Sequence, residues 1–157
     1  MPEKHHPDDV NLYKVLARQG CRLQIMGGSC LRSSLEDTLA ITILPALAQD
    51  SVGFLQDLDC FYYRTSEQWV ETFGRVIFEA MACGLPVVCH RNGGYVAHIE
   101  HGINGFLFDT DEEAIKIILK LKANAQLRAQ VGFAARQTAE KLFGSQAYDT
   151  IMQFYLK

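Results

Sequence analysis

Five short apolar runs recur along this chain, separated by stretches long enough for a helix or a helical turn. Residues 21–26, 39–44, 60–64, 86–90 and 105–108 read as strands, each ended by Gly, Pro or polar turn residues. Helices are expected from residue 11, from about residue 31, over 52–58, 74–83 and 96–100, and then three in succession at 111–122, 126–142 and 145–156. Alternation of this kind predicts a parallel sheet covered by helices on both faces, an α/β Rossmann-like domain. Such sheets bind ligands beyond the carboxyl ends of their strands. Gly27-Gly28, Pro45, Arg64-Thr65, Glu71 and Gly93-Gly94 all fall at those ends, which makes them the candidate site.

Within that frame the richest stretch is ETFGRVIFEAMACGLPVV, residues 71–88. Val76, Ile77, Ala80, Met81 and Ala82 form a broad apolar stripe at helical spacing, and Gly84 with Pro86 ends the helix. Thr72-Phe73-Gly74 forms a tight turn before it, so the first amides of the helix have no helical partner. Such amides, at the positive end of the helix dipole, suit a phosphate. Glu79 lies about 7–8 Å further along the axis, at 1.5 Å per residue. That is the depth of a ribose attached to the phosphate, and one carboxylate accepts from both hydroxyls of a diol. Glu71, ahead of the helix, would face the transferred group. Paired glutamates are also common as a first-turn acid and a solvated helix position. Convergence of the other strand ends favours a site.

This stretch resembles the E-x-F-G-x-V-x-x-E-A-M-A-x-G-x-P-V-V signature of the group 1 (family 4) glycosyltransferases, retaining enzymes of the GT-B fold. The resemblance continues through Gly93-Gly94, through HGINGFL (residues 101–107) and through the acidic Asp109, Asp111 and Glu112. It implies that the chain, residues 1–157, is the C-terminal donor-binding half of such an enzyme, with an N-terminal acceptor domain absent. It implies further that Glu71 is the catalytic-site acid that positions sugar hydroxyls. Amides near Phe73, Gly74, Arg75 and Val76 would meet sugar and phosphate, and Glu79 would hold the ribose. The family commonly has Gly where Thr72 stands and Glu where Ala97 stands, which leaves donor choice open. Its diphosphate-binding basic pair comes from a first strand–helix unit. Here MPEKHHPDD reads as a polar loop, so that strand is expected to be missing, with Lys4 as the candidate remnant of the pair.

The implied reaction moves a sugar from a nucleoside-diphosphate donor to a glycan, lipid or small-molecule acceptor. Helix amides and the cations Arg64 and Arg75 would stabilise the leaving diphosphate, so no metal and no cofactor are expected. Base selection would involve backbone near Gly27, Gly28 and Pro45. Trp69, Tyr62, Tyr63 and Tyr95 serve either as stacking platforms or as core. Two alternatives stay open: a nucleotide-sugar epimerase of the same architecture, and a non-catalytic nucleotide-binding domain. A glycoside hydrolase fails, because a helix amino end offers nothing to a neutral glycan alone.

Composition narrows the rest. A net charge of −3 gives no basic footprint for nucleic acid. No apolar run approaches the roughly 20 residues of a membrane span, and no signal peptide opens the chain, so a cytoplasmic setting is expected. Membrane association would be peripheral and only through the missing half. The five cysteines lack any C-x-x-C pair and read as reduced core thiols. His5-His6 reads as an exposed loop pair, His98 and His101 share an i,i+3 relation, and Asp57-Leu58-Asp59 has a metal-holding D-x-D form. His98 and His101 are set aside as a metal site for want of an acidic or Cys partner, and the D-x-D because it falls at a strand's amino end, away from the candidate site.

Overall fold

A computed structural model describes residues 5–36, 38–69, 71–145 and 147. Its elements follow the expected alternation: α1 (Asp9–Arg18), β1 (Leu23–Met26), α2 (Arg32–Leu35), β2 (Ile41–Leu44), α3 (Ser51–Gln56), β3 (Phe61–Tyr63), α4 (Arg75–Ala82), β4 (Val87–His90), β5 (Phe106–Phe108), α5 (Asp111–Ala123) and α6 (Ala125–Phe143). Short 3-10 turns at Ser29–Leu31 and Gly94–His98 occupy two of the expected helical positions. Strands are trimmed at their amino ends. Leu39, for example, is fully exposed ahead of β2. The helix expected over 145–156 and the candidate Lys4 lie largely or wholly outside the described residues.

Among the described residues all strand pairs are parallel, and they form two sheets where one is expected. β1 pairs with β2, and β3, β4 and β5 pair in that order. Strand β4 is the centre of the larger sheet and shows why a continuous apolar run was needed. Val87 and Cys89 enter a core with Phe54 of α3, Met81 of α4 and Ala135 of α6. Val88 points the other way, into a core with Leu12 of α1, Leu35 of α2 and Leu121 of α5. Period-two side chains serve two helical layers at once. In β3, Phe61, Tyr62 and Tyr63 are only half-buried, because among the described residues one edge of this strand has no strand paired to it.

Three helices carry their own amino-terminal caps. Asp50 accepts from the Gly53 amide at 2.8 Å, Thr110 from Glu113 at 3.3 Å and Asn124 from Leu127 at 2.9 Å. Helix α4 does not. Its N-cap position is Gly74, in the left-handed region at φ 76°, where no side chain is available to cap.

Three sequence expectations need correcting. His6 is not an exposed loop residue: it is buried, with Nε2 3.1 Å from an Arg64 guanidinium nitrogen. His98 and His101 do not share a helix. His98 ends a 3-10 turn against the Phe78 ring, while Nδ1 of His101 accepts from the Leu107 amide at 3.2 Å. Nor are the cysteines uniformly core thiols. All five are free, Cys89 is buried, and Cys30 is exposed.

Candidate donor site at the amino end of α4

Glu71 supplies the cap that α4 lacks. Its Oε1 accepts from the Gly74 amide at 3.0 Å and, at 3.5 Å, from that of Phe73. Its Oε2 accepts from the Tyr63 hydroxyl at 2.8 Å. The carboxylate is thereby oriented from two sides, by the turn it belongs to and by β3. Burial and the neighbouring carboxylate push the Tyr63 phenol well above its ordinary range, so it stays a donor. Beyond Gly74, the Arg75 and Val76 amides form no hydrogen bond within the described structure. They are the uncommitted donors of the helix. One turn further on, Glu79 is held by Arg75 at 3.1 Å. Both groups are solvent-accessible, a geometry worth only a few tenths of a kcal/mol, so a ligand displaces it cheaply.

The paired glycines stand behind this turn. The Gly94 amide donates to the Glu71 carbonyl at 3.0 Å, and a Cβ on Gly94 would lie 1.9 Å from the Thr72 carbonyl oxygen. Close backbone approach is therefore what Gly94 provides. Under both loops lies Tyr95, buried, its hydroxyl donating to the carbonyls of His90 and Asn92 at 2.7 and 3.1 Å. Of the aromatic candidates, Tyr63 and Tyr95 are thus supports for the Glu71 turn, which no spacing in the sequence announces. Gly27-Gly28 and Pro45 follow β1 and β2 directly, at the same carboxyl-end rim. Phe73 is half-exposed, its ring packed on Phe78 and Phe143.

Arg64, read from the sequence as a cation for the diphosphate, already has its charge matched. It donates to Asp111 and lies 3.6 Å from Asp9 and 4.0 Å from Asp8, with its side chain buried. Asp9 is buried too, and accepts from the Tyr62 hydroxyl at 2.8 Å. Sequence reading missed this cluster because residues 6, 9, 64 and 111 meet only in the fold.

Burial raises the Asp9 carboxyl to about 6, although the Tyr62 hydrogen bond and the Arg64 charge pull it down. In an unfolded chain it titrates near 3.9. The folded state thus holds this proton more tightly. Its stabilising contribution is full below about pH 4, is lost between about 4 and 6, and is absent above. The loss is at most about 3 kcal/mol. His6 acts with the opposite sign: burial and Arg64 lower its pKa, so it penalises folding on the acid side. Asp9→Asn separates the two. Relative to the parent chain, its stability in urea melts is expected to rise by up to about 3 kcal/mol between pH 4 and 7. A constant offset across that range would refute the Asp9 assignment.

Residues 3–138 match the family described as glycosyl transferases group 1. This chain belongs to that family. Among curated relatives, spore coat protein SA of Bacillus subtilis is 34% identical over 116 residues, covering 66% of this chain and 31% of the relative. The N-acetyl-alpha-D-glucosaminyl L-malate synthase of Bacillus anthracis is 36% identical over 110 residues, covering 66% and 28%. The chain thus spans about a third of the length of these curated relatives. Among solved structures, HepE of Anabaena in complex with UDP and glucose superposes with a TM-score of 0.72 at 24% identity, covering 98% of this chain and 46% of that one. This chain is therefore an α/β domain with parallel sheets flanked by helices, a fold it shares with that structure, as the signature implied. No helix among the described residues is long and apolar enough to cross a membrane.

Proposed function

We propose that this domain binds the nucleoside-diphosphate sugar for a retaining glycosyltransferase, and that a further domain supplies the acceptor. The observation that carries the reading is the start of α4, where two backbone amides are uncommitted and a carboxylate stands on either side. The Arg75 and Val76 amides take the diphosphate, which the helix dipole favours. Glu79 leaves Arg75 and accepts from the ribose diol, and Arg75 is then released toward the phosphates. Glu71 keeps the Gly74 and Tyr63 bonds and positions sugar hydroxyls, with Gly93 and Gly94 holding its turn in place. As the glycosidic bond breaks, negative charge builds on the leaving diphosphate, where fixed amide donors stabilise it without a metal. UDP in the HepE crystals supports a uridine donor. In this reading the reaction runs in the cytoplasm, with a glycan, lipid or small molecule as the acceptor.

Calorimetric titration with UDP, GDP and ADP, in the presence of EDTA, tests the donor half. One nucleotide, expected to be UDP, binds at least about tenfold tighter than the others. Glu79→Ala weakens that affinity by roughly 10- to 100-fold, the equivalent of a charge-assisted hydrogen-bond pair. Equal, weak binding of all three nucleotides, unchanged by Glu79→Ala, would remove the assignment. Sugar transfer by the longer chain, with the product's anomeric configuration read by NMR, tests retention and separates transfer from epimerisation.

A further inference from the structure

The dipeptide Asn-Gly occurs twice in this chain, at 92–93 and 104–105, and the fold treats the two in opposite ways. Asn104 is buried, and both polar atoms of its carboxamide are engaged. Its Oδ1 accepts from the Glu100 amide at 2.7 Å, and its Nδ2 donates to the His98 carbonyl at 3.1 Å and to the Thr138 hydroxyl at 3.0 Å. Asn92, on the loop after β4, is only half-buried. Its carboxamide has no hydrogen-bond partner among the described residues, and neither has the amide nitrogen of Gly93.

Those two groups are the reactants of a ring closure. In Asn-Gly the backbone nitrogen attacks the carboxamide carbon, and glycine has no Cβ to obstruct the approach. Position 93 has no room for another residue. Gly93 has φ 158°, and a Cβ on it would stand 2.4 Å from the Tyr95 ring and 2.9 Å from the Glu71 carbonyl oxygen. The Tyr95 hydroxyl lies 3.1 Å from the Asn92 carbonyl oxygen. That carbonyl belongs to the same peptide unit as the Gly93 nitrogen, so the hydrogen bond draws electron density from the unit and makes its proton easier to lose.

We propose that Asn92-Gly93 is a site of spontaneous modification, at which the asparagine passes through a cyclic imide to an aspartyl or isoaspartyl residue, while Asn104-Gly105 is protected. Solvent base takes the Gly93 amide proton, the nitrogen bonds to Cγ of Asn92, and the bond from Cγ to Nδ2 breaks with release of ammonia. Water then opens the ring. Cleavage between Cγ and the Gly93 nitrogen restores an ordinary peptide bond with an aspartyl side chain. Cleavage at the α-carbonyl leaves the chain running through Cγ, longer by a methylene. The net exchange is water for ammonia, with no oxidant or reductant. The loop cannot absorb the longer path unchanged. The Gly94 amide donates to the Glu71 carbonyl at 3.0 Å, and Gly94 lies directly against the Thr72 carbonyl, so lengthening the chain ahead of Gly93 displaces the turn that presents Glu71. The effect on turnover rests on the donor reading proposed above, whereas the chemistry of the loop does not.

The test ages the folded chain in mildly alkaline buffer, digests it with trypsin and compares it by mass spectrometry with an unaged sample. Cleavage after Arg91 and Lys116 yields a peptide that carries both asparagines, so its fragment ions assign the position. Asn92 is expected to convert at least about tenfold faster than Asn104, which must first release three hydrogen bonds. In urea-unfolded chain that difference is expected to vanish. Asn92→Gln, whose longer side chain would have to close a larger ring, is expected to stay unmodified at 92. Equal conversion of the two sites in the folded chain overturns the proposal. So does a folded Asn92 that stays intact while the unfolded chain reacts at both sites. In the complete transferase, turnover is expected to fall in step with isoaspartate at 92, while Asn92→Gln holds its own starting rate. Conversion without that loss overturns the effect on the Glu71 turn, and the nucleotide titration judges the donor reading separately.

Discussion

Glu71→Ala in the complete transferase is expected to lower kcat/KM by roughly 100-fold, the scale of a lost charge-assisted contact to a sugar hydroxyl. The same change removes the cap of α4, so a structural cost of about 1 kcal/mol accompanies it. Glu71→Gln distinguishes the two effects. Glutamine keeps an oxygen for the Gly74 amide and a polar end near the Tyr63 hydroxyl, so thermal stability recovers. It lacks the charge, so turnover does not recover fully. Nucleotide affinity should fall much less than turnover in both variants, because Glu71 is assigned to the sugar and not to the diphosphate. Full turnover in Glu71→Ala, or a loss explained entirely by unfolding at the assay temperature, would sink the role.

Gly132→Ala is expected to give the largest loss of stability. Gly132 lies within α6 where that helix crosses the end of α4. A Cβ there would stand 2.1 Å from the Gly84 carbonyl oxygen and 3.5 Å from Pro86 Cδ. Helix propensity alone favours alanine by about 1 kcal/mol. The clash is with backbone, which cannot rotate away, so α4 and α6 must separate. Overpacking of this kind costs about 3 kcal/mol, outweighing the propensity gain by about 2 kcal/mol and lowering Tm by roughly 4–8 °C for a chain of this size. An unchanged or raised melting temperature would show that the two helices are less closely seated than the structure has them.

These two residues mark how far the sequence could be read. The placing of Glu71 at the mouth of α4 is legible because its neighbours in the chain are its neighbours in space: turn, helix start and strand follow one another within eighteen residues. Strand β4 was legible for the same reason, its unbroken apolar run reporting two covered faces. Gly132 carried no signal, since one glycine in a long helical pattern reads as a small propensity defect until Gly84 is placed against it. The cluster of His6, Asp9, Arg64 and Asp111 was invisible for a related reason. Each was an ordinary polar residue near an element end, and Arg64 was accordingly assigned to the diphosphate instead of to its three carboxylates. Tyr63 and Tyr95 were noticed but not understood, because their hydroxyl partners lie on other loops. The division into two sheets was hidden because strands are predicted one at a time, whereas pairing belongs to the assembled sheet.

The contact between Phe73 and Phe143 has a mechanical consequence. Phe143 is the last residue of α6, and its ring packs 5.9 Å from that of Phe73 and 5.2 Å from that of Phe78. The far end of the longest described helix thus leans on the lip of the turn that presents Glu71. The packing of that lip therefore depends on where α6 ends, since its last side chain fills space beside both the turn and α4.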